Sequence, residues 1–377
     1  VVTAVSRAPS IPKPVRSALV VAFIYLFLVG VSSLEAGIKI MGQDTQESLF
    51  SAVSNPIAGL SIGILGTVLV QSSSASTSVI VGLVASGALG VDDAVPMVMG
   101  ANIGTTVTNT LVSLGHIRQS NEFRRAFAAA TVHDFFNVLA VIVLLPVELV
   151  FGLISSIAEF ISERLVGSAG SEWKSPVKAW VKGPVGWLES LWEAVGASGN
   201  IQGVLMLLSG LIVILVALAL ITRNMRALVA DRVERSVNAF LSRGGGFVAL
   251  LLGMVITISV QSSSITTSIL IPMAGAGVLS LRNAYPVTLG ANVGTTITAL
   301  MAALAASSPE SLTVALAHTT FNVLGIIVLY GLPLVRDVPI RAAETLAEVA
   351  VSRRSIAVAY VTVVFVILPL IGVALLR

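Results

Sequence analysis

The chain has 377 residues, 55% of them hydrophobic and 11% charged, with a formal net charge of +3 and a mean hydropathy of +0.97. A soluble domain carries about 25% charged residues to cover its surface, so this composition excludes an ordinary soluble globule and requires most of the surface to face lipid. With no cysteine and three histidines that form no close pair, a disulfide framework, a thiolate metal site and a zinc site are excluded too.

Apolar runs at 17–34, 128–149, 204–221, 313–332 and 356–376 each approach the ~20 residues a spanning helix needs, and several in one chain rule out a lone signal peptide. Cytoplasmic loops are enriched in Lys and Arg, which sets an expected topology. With Arg7, Lys13 and Arg16 in the cytoplasm, the first helix exits at Glu35, leaving Glu35, Asp44 and Glu47 outside. Residues 55–90 are apolar but interrupted by Pro56, six further glycines and the serines at 72–74, a pattern that predicts a re-entrant hairpin on the outer face. Helices over 94–112 and 126–149 then cross inward to Arg118, Arg124 and Arg125 and back out. Residues 153–198 hold all four tryptophans (Trp173, Trp180, Trp187, Trp192) and read as an amphipathic extracellular loop. A helix over 201–221 descends to the basic cluster Arg223, Arg226, Arg232, Arg235 and Arg243. A second hairpin over 247–280 enters from that inner side, and helices over 284–305 and 312–333 go out and back. Arg336, Arg341, Arg353 and Arg354 are again cytoplasmic, before a last helix that ends outside at Arg377. On this topology 16 of the 22 Lys and Arg residues are cytoplasmic, and the two hairpins enter from opposite faces.

An internal repeat is the main signal. Gln71-Ser-Ser-Ser-Ala-Ser-Thr-Ser78 returns at an offset of 190 as Gln261-Ser-Ser-Ser-Ile-Thr-Thr-Ser268, and Gly100-Ala-Asn-Ile-Gly-Thr-Thr-Val-Thr108 as Gly290-Ala-Asn-Val-Gly-Thr-Thr-Ile-Thr298. His133-Asp-Phe-Phe-Asn-Val-Leu139 returns at an offset of 185 as His318-Thr-Thr-Phe-Asn-Val-Leu324. Repeats of opposite orientation meet near the bilayer midplane, where transporters hold substrate and ions, and interrupted hydrophobic segments in matching positions point to that site. The expected fold is therefore an all-α membrane protein of two inverted-topology repeats, each with a re-entrant helical hairpin and a discontinuous transmembrane helix. Residues 1–152 form the first repeat, 153–198 the inter-repeat loop, 199–335 the second repeat, and 336–377 a cytoplasmic segment and terminal helix.

Four polar side chains in a row at membrane depth cost several kcal/mol each if unpaired, so Gln71, Ser72, Ser73 and Ser74, like Gln261, Ser262, Ser263 and Ser264, belong at hairpin tips lining a wet cavity. Helices starting just after the serines would aim N–H groups and positive dipole ends at an anion. Two of them could clamp one tetrahedral ligand. In Gly-Ala-Asn-x-Gly-Thr-Thr, the glycines would let the backbone unwind and bring carbonyls to an ion, with Asn102, Thr105, Thr106, Asn292, Thr295 and Thr296 adding oxygens. Ser78 and Ser268 are further candidates for a cation. The plainer reading is that Ser, Thr and Gly allow close helix packing, but duplication of both motifs at fixed spacing argues for a site. No Lys or Arg lies in any duplicated block, so bound Na⁺ would have to supply the charge opposite a phosphate, which makes cotransport obligatory. Asp134 is the sole carboxylate of the central blocks, with Thr319 as its counterpart. Intramembrane carboxylates are functional by default, which suggests an extra cation or proton site, with a pair to Arg124 or Arg125 as the structural alternative. His133 and His318 suit hydrogen-bonding structural roles better than proton sensing, and Arg124 and Arg125 suit topogenic anchors better than phosphate ligands.

With these motifs duplicated, and Phe123-Arg-Arg-Ala-Phe127 leading into Ala130-Thr-Val-His-Asp-Phe-Phe-Asn137, residues 50–330 resemble the type II sodium-dependent phosphate cotransporter family. The resemblance implies inverted repeats with Gln-Ser-Ser-Ser hairpins around phosphate, and electrogenic transport from an Asp at the place of Asp134. It also implies a second Na⁺ site including Asn137, Thr295 and Thr298. Residues 116–120 depart from the vertebrate pattern, and the vertebrate inter-repeat disulfide is absent. The expected function is a Na⁺-coupled importer of inorganic phosphate in the cell membrane, multi-pass with a cytoplasmic N-terminus. It would need no cofactor beyond Na⁺ as coupling ion and no nucleic-acid partner, and homo-oligomer formation stays open. Proton coupling, a related oxyanion, a phosphate sensor and an intramembrane lipid-phosphate phosphatase are the rivals. The last would want a nucleophile or acid/base group with a basic clamp, which the motifs lack.

Overall fold

The computed structural model describes residues 11–42, 44–47, 53–166, 177–243, 245–306 and 308–376, and their side chains except those of 230–243. Arg7, Trp173 and Arg377, and the side chains of Arg232, Arg235 and Arg243, lie outside the described residues. All regular structure among the described residues is helical. Among the described residues six helices are long and apolar enough to cross a membrane: Lys13–Met41, Ser120–Phe151, Gly199–Val229, Leu281–Ala305, Pro309–Gly331 and Arg354–Leu376.

In chain order, α1 (Lys13–Met41) leads to a pair of short helices, α2 (Pro56–Val70) and α3 (Ser73–Ser86). Next come α4 (Val91–Thr105), α5 (Val107–Ser113), α6 (Ser120–Phe151), α7 (Leu153–Val166) and α8 (Lys178–Ala194). The second half runs α9 (Gly199–Arg243), the short pair α10 (Gly246–Val260) and α11 (Ser263–Gly275), α12 (Leu281–Ala305) and α13 (Pro309–Ile326). After a π-helical turn over Ile327–Gly331 follow α14 (Val338–Ser352), α15 (Arg354–Thr362), a π-helical segment Val363–Ile367 and α16 (Leu368–Leu376).

Local chemistry sets the ends of the short pairs. Asn55 caps α2 by accepting from the N–H groups of Ile57 and Ala58, with Pro56 in the first turn, where its missing N–H costs nothing. Gly87 closes α3 at φ 82°, the left-handed cap that glycine adopts freely.

Packing between the halves is reciprocal. α1 and α9 cross where a Cβ on Gly37 would stand 2.7 Å from the Gly203 carbonyl oxygen, and one on Gly210 the same distance from the Gly30 oxygen. Exchanging the halves turns each contact into the other. Small residues let helices in membranes approach this closely. Likewise α2 packs on α4 as α10 packs on α12, and α13 packs on α7 as α6 packs on α14.

The first helix runs past Glu35 to Met41, and Glu35 is buried within it, bonded to Lys39 at 2.6 Å one turn on. The ion pair within the helix offsets the cost of burying that carboxylate. One expectation is corrected: the paired glycines of the Gly-Ala-Asn motif do not unwind the backbone. α4 passes intact through Gly100 and Gly104 and breaks only at Thr106, and α12 runs unbroken through Gly290 and Gly294. A Cβ on Gly100 would overlap the Leu60 carbonyl, and one on Gly290 the Leu250 carbonyl. These glycines admit α2 and α10 to direct backbone contact.

Candidate functional site

At each turn between short helices the chain passes through a left-handed glutamine. Gln71 (φ 55°) and Gln261 (φ 57°) are the only non-glycine residues with positive φ among the described residues, a conformation that needs outside support for a side chain of this size. Both have the same support. Gln71 Nε2 donates to the Val68 carbonyl (2.6 Å), and Thr108 Oγ1 donates to Gln71 Oε1 (2.9 Å). Gln261 Nε2 donates to the Ile258 carbonyl (2.7 Å), and Thr298 Oγ1 donates to Gln261 Oε1 (2.9 Å). Ser72 then caps α3 by accepting from Ala75 N–H, and Ser262 caps α11 by accepting from Ile265 N–H. The serines are thus the cap and first turn of each helix. Both Gln-Ser-Ser-Ser segments open on one cavity of about 550 Å³, lined also by Leu215, Leu218, Ala219 and Thr222 of α9. Among the described residues no charged side chain lines it. Ser74 Oγ donates to Thr298 Oγ1 at 3.3 Å, so a hydrogen-bond chain runs from the first turn through Thr298 to Gln261 of the second.

Behind the cavity the halves are locked by an exchanged set of amides and imidazoles. Asn102 Nδ2 donates to Asn322 Oδ1 (3.0 Å) and Asn292 Nδ2 to Asn137 Oδ1 (2.7 Å). His318 Nε2 meets Asn102 Oδ1 at 3.0 Å, and His133 Nε2 meets Asn292 Oδ1 at 2.6 Å. All six side chains are buried, and each histidine nitrogen facing an amide oxygen must carry the proton. This is the structural, hydrogen-bonding role expected of the histidines. The symmetry fails beside His133. Asn109 faces His133 Nδ1 at 3.4 Å, and Thr267 Oγ1 of α11 lies 2.7 Å from Asn109 Oδ1. The repeat counterpart of Asn109 is Ala299, and His318 Nδ1 has no hydrogen-bond partner among the described residues.

Asp134 is fully buried. Thr110 Oγ1 (3.0 Å) and Tyr360 Oη (3.2 Å) both approach its Oδ2. The alternative of a pair with Arg124 or Arg125 is not what forms. Arg124 faces Glu348 at 3.9 Å, and Arg125 Nε donates to the Gly275 carbonyl at 2.8 Å. Arg124 thus faces α14 and Arg125 faces α11.

A model of the Na⁺/Pi-cotransporter family matches residues 26–162 and 213–337. The chain belongs to that family. The two matched blocks leave out most of the segment holding α8, and the second ends just before α14. The chain is 35% identical to sodium-dependent phosphate transport protein 2A of Rattus norvegicus, over 95% of this chain and 67% of that protein. It is 33% identical to protein 2B of Homo sapiens, over 94% of this chain and 64% of that one. The chain therefore spans about two thirds of the length of the curated relatives it matches. No solved structure matches it.

Within this cotransporter-family chain the remaining sequence-named residues divide by location. Gln71, Ser72, Ser73, Ser74, Gln261, Ser262, Ser263 and Ser264 share the cavity, and Thr298 adjoins it through Ser74 and Gln261. Asn102, Asn292 and Asn137 form the lock instead. Thr105, Thr106, Thr295 and Thr296 donate to carbonyls of their own helices, as does Ser78 to the Ser74 carbonyl. Ser268 is half-buried on α11. Thr108, Asn109, Asn322 and Tyr360 are additions from the structure. Thr108 and Asn322 are the repeat counterparts of Thr298 and Asn137, so the offsets of 190 and 185 point to them. Tyr360 lies outside every repeated block and carries no such signal.

Proposed function

We propose that the chain is a sodium-coupled secondary transporter that imports inorganic phosphate and moves net positive charge with it. One observation carries the reading. Two Gln-Ser-Ser-Ser turns from opposite halves face one cavity in which both α3 and α11 begin. Helix N-termini present unpaired N–H groups and a positive dipole end, together a ready anion site. Gln71, Gln261 and the serines add hydroxyl and amide donors for phosphate oxygens. The neutral lining leaves a dianion without a fixed counter-charge, and Na⁺ fills that role. Asp134, with Asn137, Thr105, Thr106, Thr295, Thr296, Thr298, Ser78 and Ser268 as oxygen donors, holds the cations, and Asp134 makes the cycle electrogenic. Asn102 and Asn292 act on phosphate through the packing of α4 and α12.

The repeats are inverted and the short pairs α2–α3 and α10–α11 are re-entrant hairpins. Supporting this are the exchanged contacts and the length of the paired helices, 15 and 14 residues in the first pair, well short of a span. Residues 1–152 and 199–335 form the two repeats, joined by an extracellular segment over 153–198 and followed by a cytoplasmic segment and final helix over 336–377. The excess of Lys and Arg in alternate loops supports a cytoplasmic N-terminus. Alternating access then moves the hairpin-bearing elements against the rest.

The test is reconstitution of the purified chain into liposomes, with radiolabelled phosphate outside and an inward Na⁺ gradient. Concentrative uptake that stops when choline replaces Na⁺, and that builds an inside-positive potential, is the expected result. Uptake driven equally by a proton gradient without Na⁺, or preference for sulfate, would overturn the reading.

A further inference from the structure

The carboxylate of the first half is held in part from outside both repeats. Asp134 Oδ2 has two hydroxyls on it, Thr110 Oγ1 at 3.0 Å and Tyr360 Oη at 3.2 Å, while buried Oδ1 has no hydrogen-bond partner among the described residues. Thr110 Oγ1 also lies 3.4 Å from the Thr106 carbonyl. Its single proton goes to the nearer acceptor, Asp134 Oδ2. Tyr360 belongs to α15, past the last repeated block. Its ring is fixed by Phe127, Phe135 and Phe365, with centroids 6.5, 6.2 and 6.2 Å away. Phe365 sits in the π-helical segment after α15, a distortion frequent at functional sites. The second half has nothing equivalent, since Thr319 stands at the place of Asp134 and donates to the Ala315 carbonyl at 3.3 Å.

A carboxylate accepts through both oxygens. When donors occupy one of them, the side-chain torsion is set and the other oxygen is presented to whatever binds there. We propose that Tyr360 is a positioning residue for the coupling cation: with Thr110 it occupies Asp134 Oδ2 and orients Oδ1 to receive Na⁺. This rests on the sodium-coupled reading above. It adds that a helix outside the repeats equips one half alone with a carboxylate cation site, which is how a fold of two similar halves becomes chemically unequal. Tyr360 need not touch the ion.

The experiment uses the full chain in liposomes, comparing wild type, Tyr360→Phe and Thr110→Val. Initial phosphate uptake is measured against Na⁺ at saturating phosphate, and against phosphate at saturating Na⁺. Tyr360→Phe keeps the ring contacts and removes one oxygen. The expected result is a rise of about tenfold in the Na⁺ half-saturation concentration, the worth of one hydrogen bond to a charged group, with maximal rate and phosphate half-saturation little changed. Thr110→Val should shift Na⁺ the same way, and the double variant should fall short of the product because both act on one oxygen. An unshifted Na⁺ half-saturation in Tyr360→Phe overturns the proposal, as does a fall in maximal rate alone or failure to accumulate in membranes, which give Tyr360 a packing role. Wild-type uptake indifferent to Na⁺ would instead defeat the sodium-coupled reading itself.

Discussion

A serine at the start of a helix can serve the helix or the ligand, and its place in the first turn decides which. Ser72 and Ser262 lend their oxygens to Ala75 and Ile265 N–H, so their loss acts through the helix end: replacing a serine cap by alanine costs about 1 kcal/mol. Ser73 and Ser263 follow in the first turn, buried yet on the cavity wall. Ser73→Ala and Ser263→Ala should therefore raise the phosphate half-saturation about tenfold or more, one charge-assisted hydrogen bond, while thermal unfolding stays close to wild type. Ser72→Ala should lower the unfolding temperature as well. The lock makes the opposite prediction. Asn292→Ala strands His133 Nε2 and Asn137 Oδ1, and at about 1–3 kcal/mol for each buried orphan the variant should lose roughly 2–6 kcal/mol, read by denaturant titration in detergent. At this scale the sequence was informative wherever a residue recurs. The two Gln-Ser-Ser-Ser runs reach one cavity, and Thr108 and Asn322 follow from their counterparts by subtraction. Tyr360 did not recur, and its meeting with Asp134 depends on a tertiary approach across more than two hundred positions, which no local pattern encodes.

Between helices, the same glycines that look like hinges in the sequence prove to be contact points. Periodicity and composition locate the spanning helices well, because a long apolar run in lipid has few ways to satisfy its backbone except as a helix. They do not say whether a glycine in such a helix bends it or admits a neighbour, since both uses select the same missing side chain. Gly100 and Gly290 admit neighbours: α4 and α12 continue straight through, against the Leu60 and Leu250 carbonyls. The consequence is a rigid pairing of the first helix of each short pair with the helix that carries its asparagine. Gly290→Ala should thus force α10 off α12 and cost about 1–3 kcal/mol, the usual toll of overpacking. It should also weaken phosphate binding, because α10 ends at Gln261. Gly115→Ala, with open space around its Cβ position, is the control and should leave both unchanged. A hinge role would predict the reverse order, with altered transport rates and unchanged stability in Gly290→Ala. Legibility was also incomplete at the edges of the repeats. The exchange of contacts reaches α7 and α14, whose sequences show no resemblance that the motif blocks would reveal, because amphipathic packing constrains the pattern of polarity more than residue identity.

Across the whole molecule the governing fact is a charge deficit: the cavity between the two Gln-Ser-Ser-Ser turns is walled by helix ends, hydroxyls and amides, with no Lys or Arg on it among the described residues. Helix dipoles contribute about half a charge each, which does not balance a phosphate dianion. Cation and anion should accordingly bind together. By linkage, each should raise the affinity of the other by the same factor, and calorimetric titration of phosphate with and without Na⁺ should give the factor that the reverse titration gives. The deficit can also be filled by design. Thr222 lines the cavity on α9, opposite the serine turns, and Thr222→Lys would place a permanent positive charge there on a flexible stem that can reach the wet space. If Na⁺ acts as the missing counter-charge, this variant should bind phosphate without Na⁺, and the dependence of phosphate affinity on Na⁺ should shrink by about tenfold or more, since a close charge pair in such a site is worth more than 1.4 kcal/mol. It should at the same time lose concentrative uptake, because an anion no longer bound to its driving ion draws nothing from the Na⁺ gradient. Unchanged Na⁺ dependence in a well-folded Thr222→Lys chain would mean that the cations act at a distance, through the conformational equilibrium of the hairpins, and not as counter-ions in the cavity.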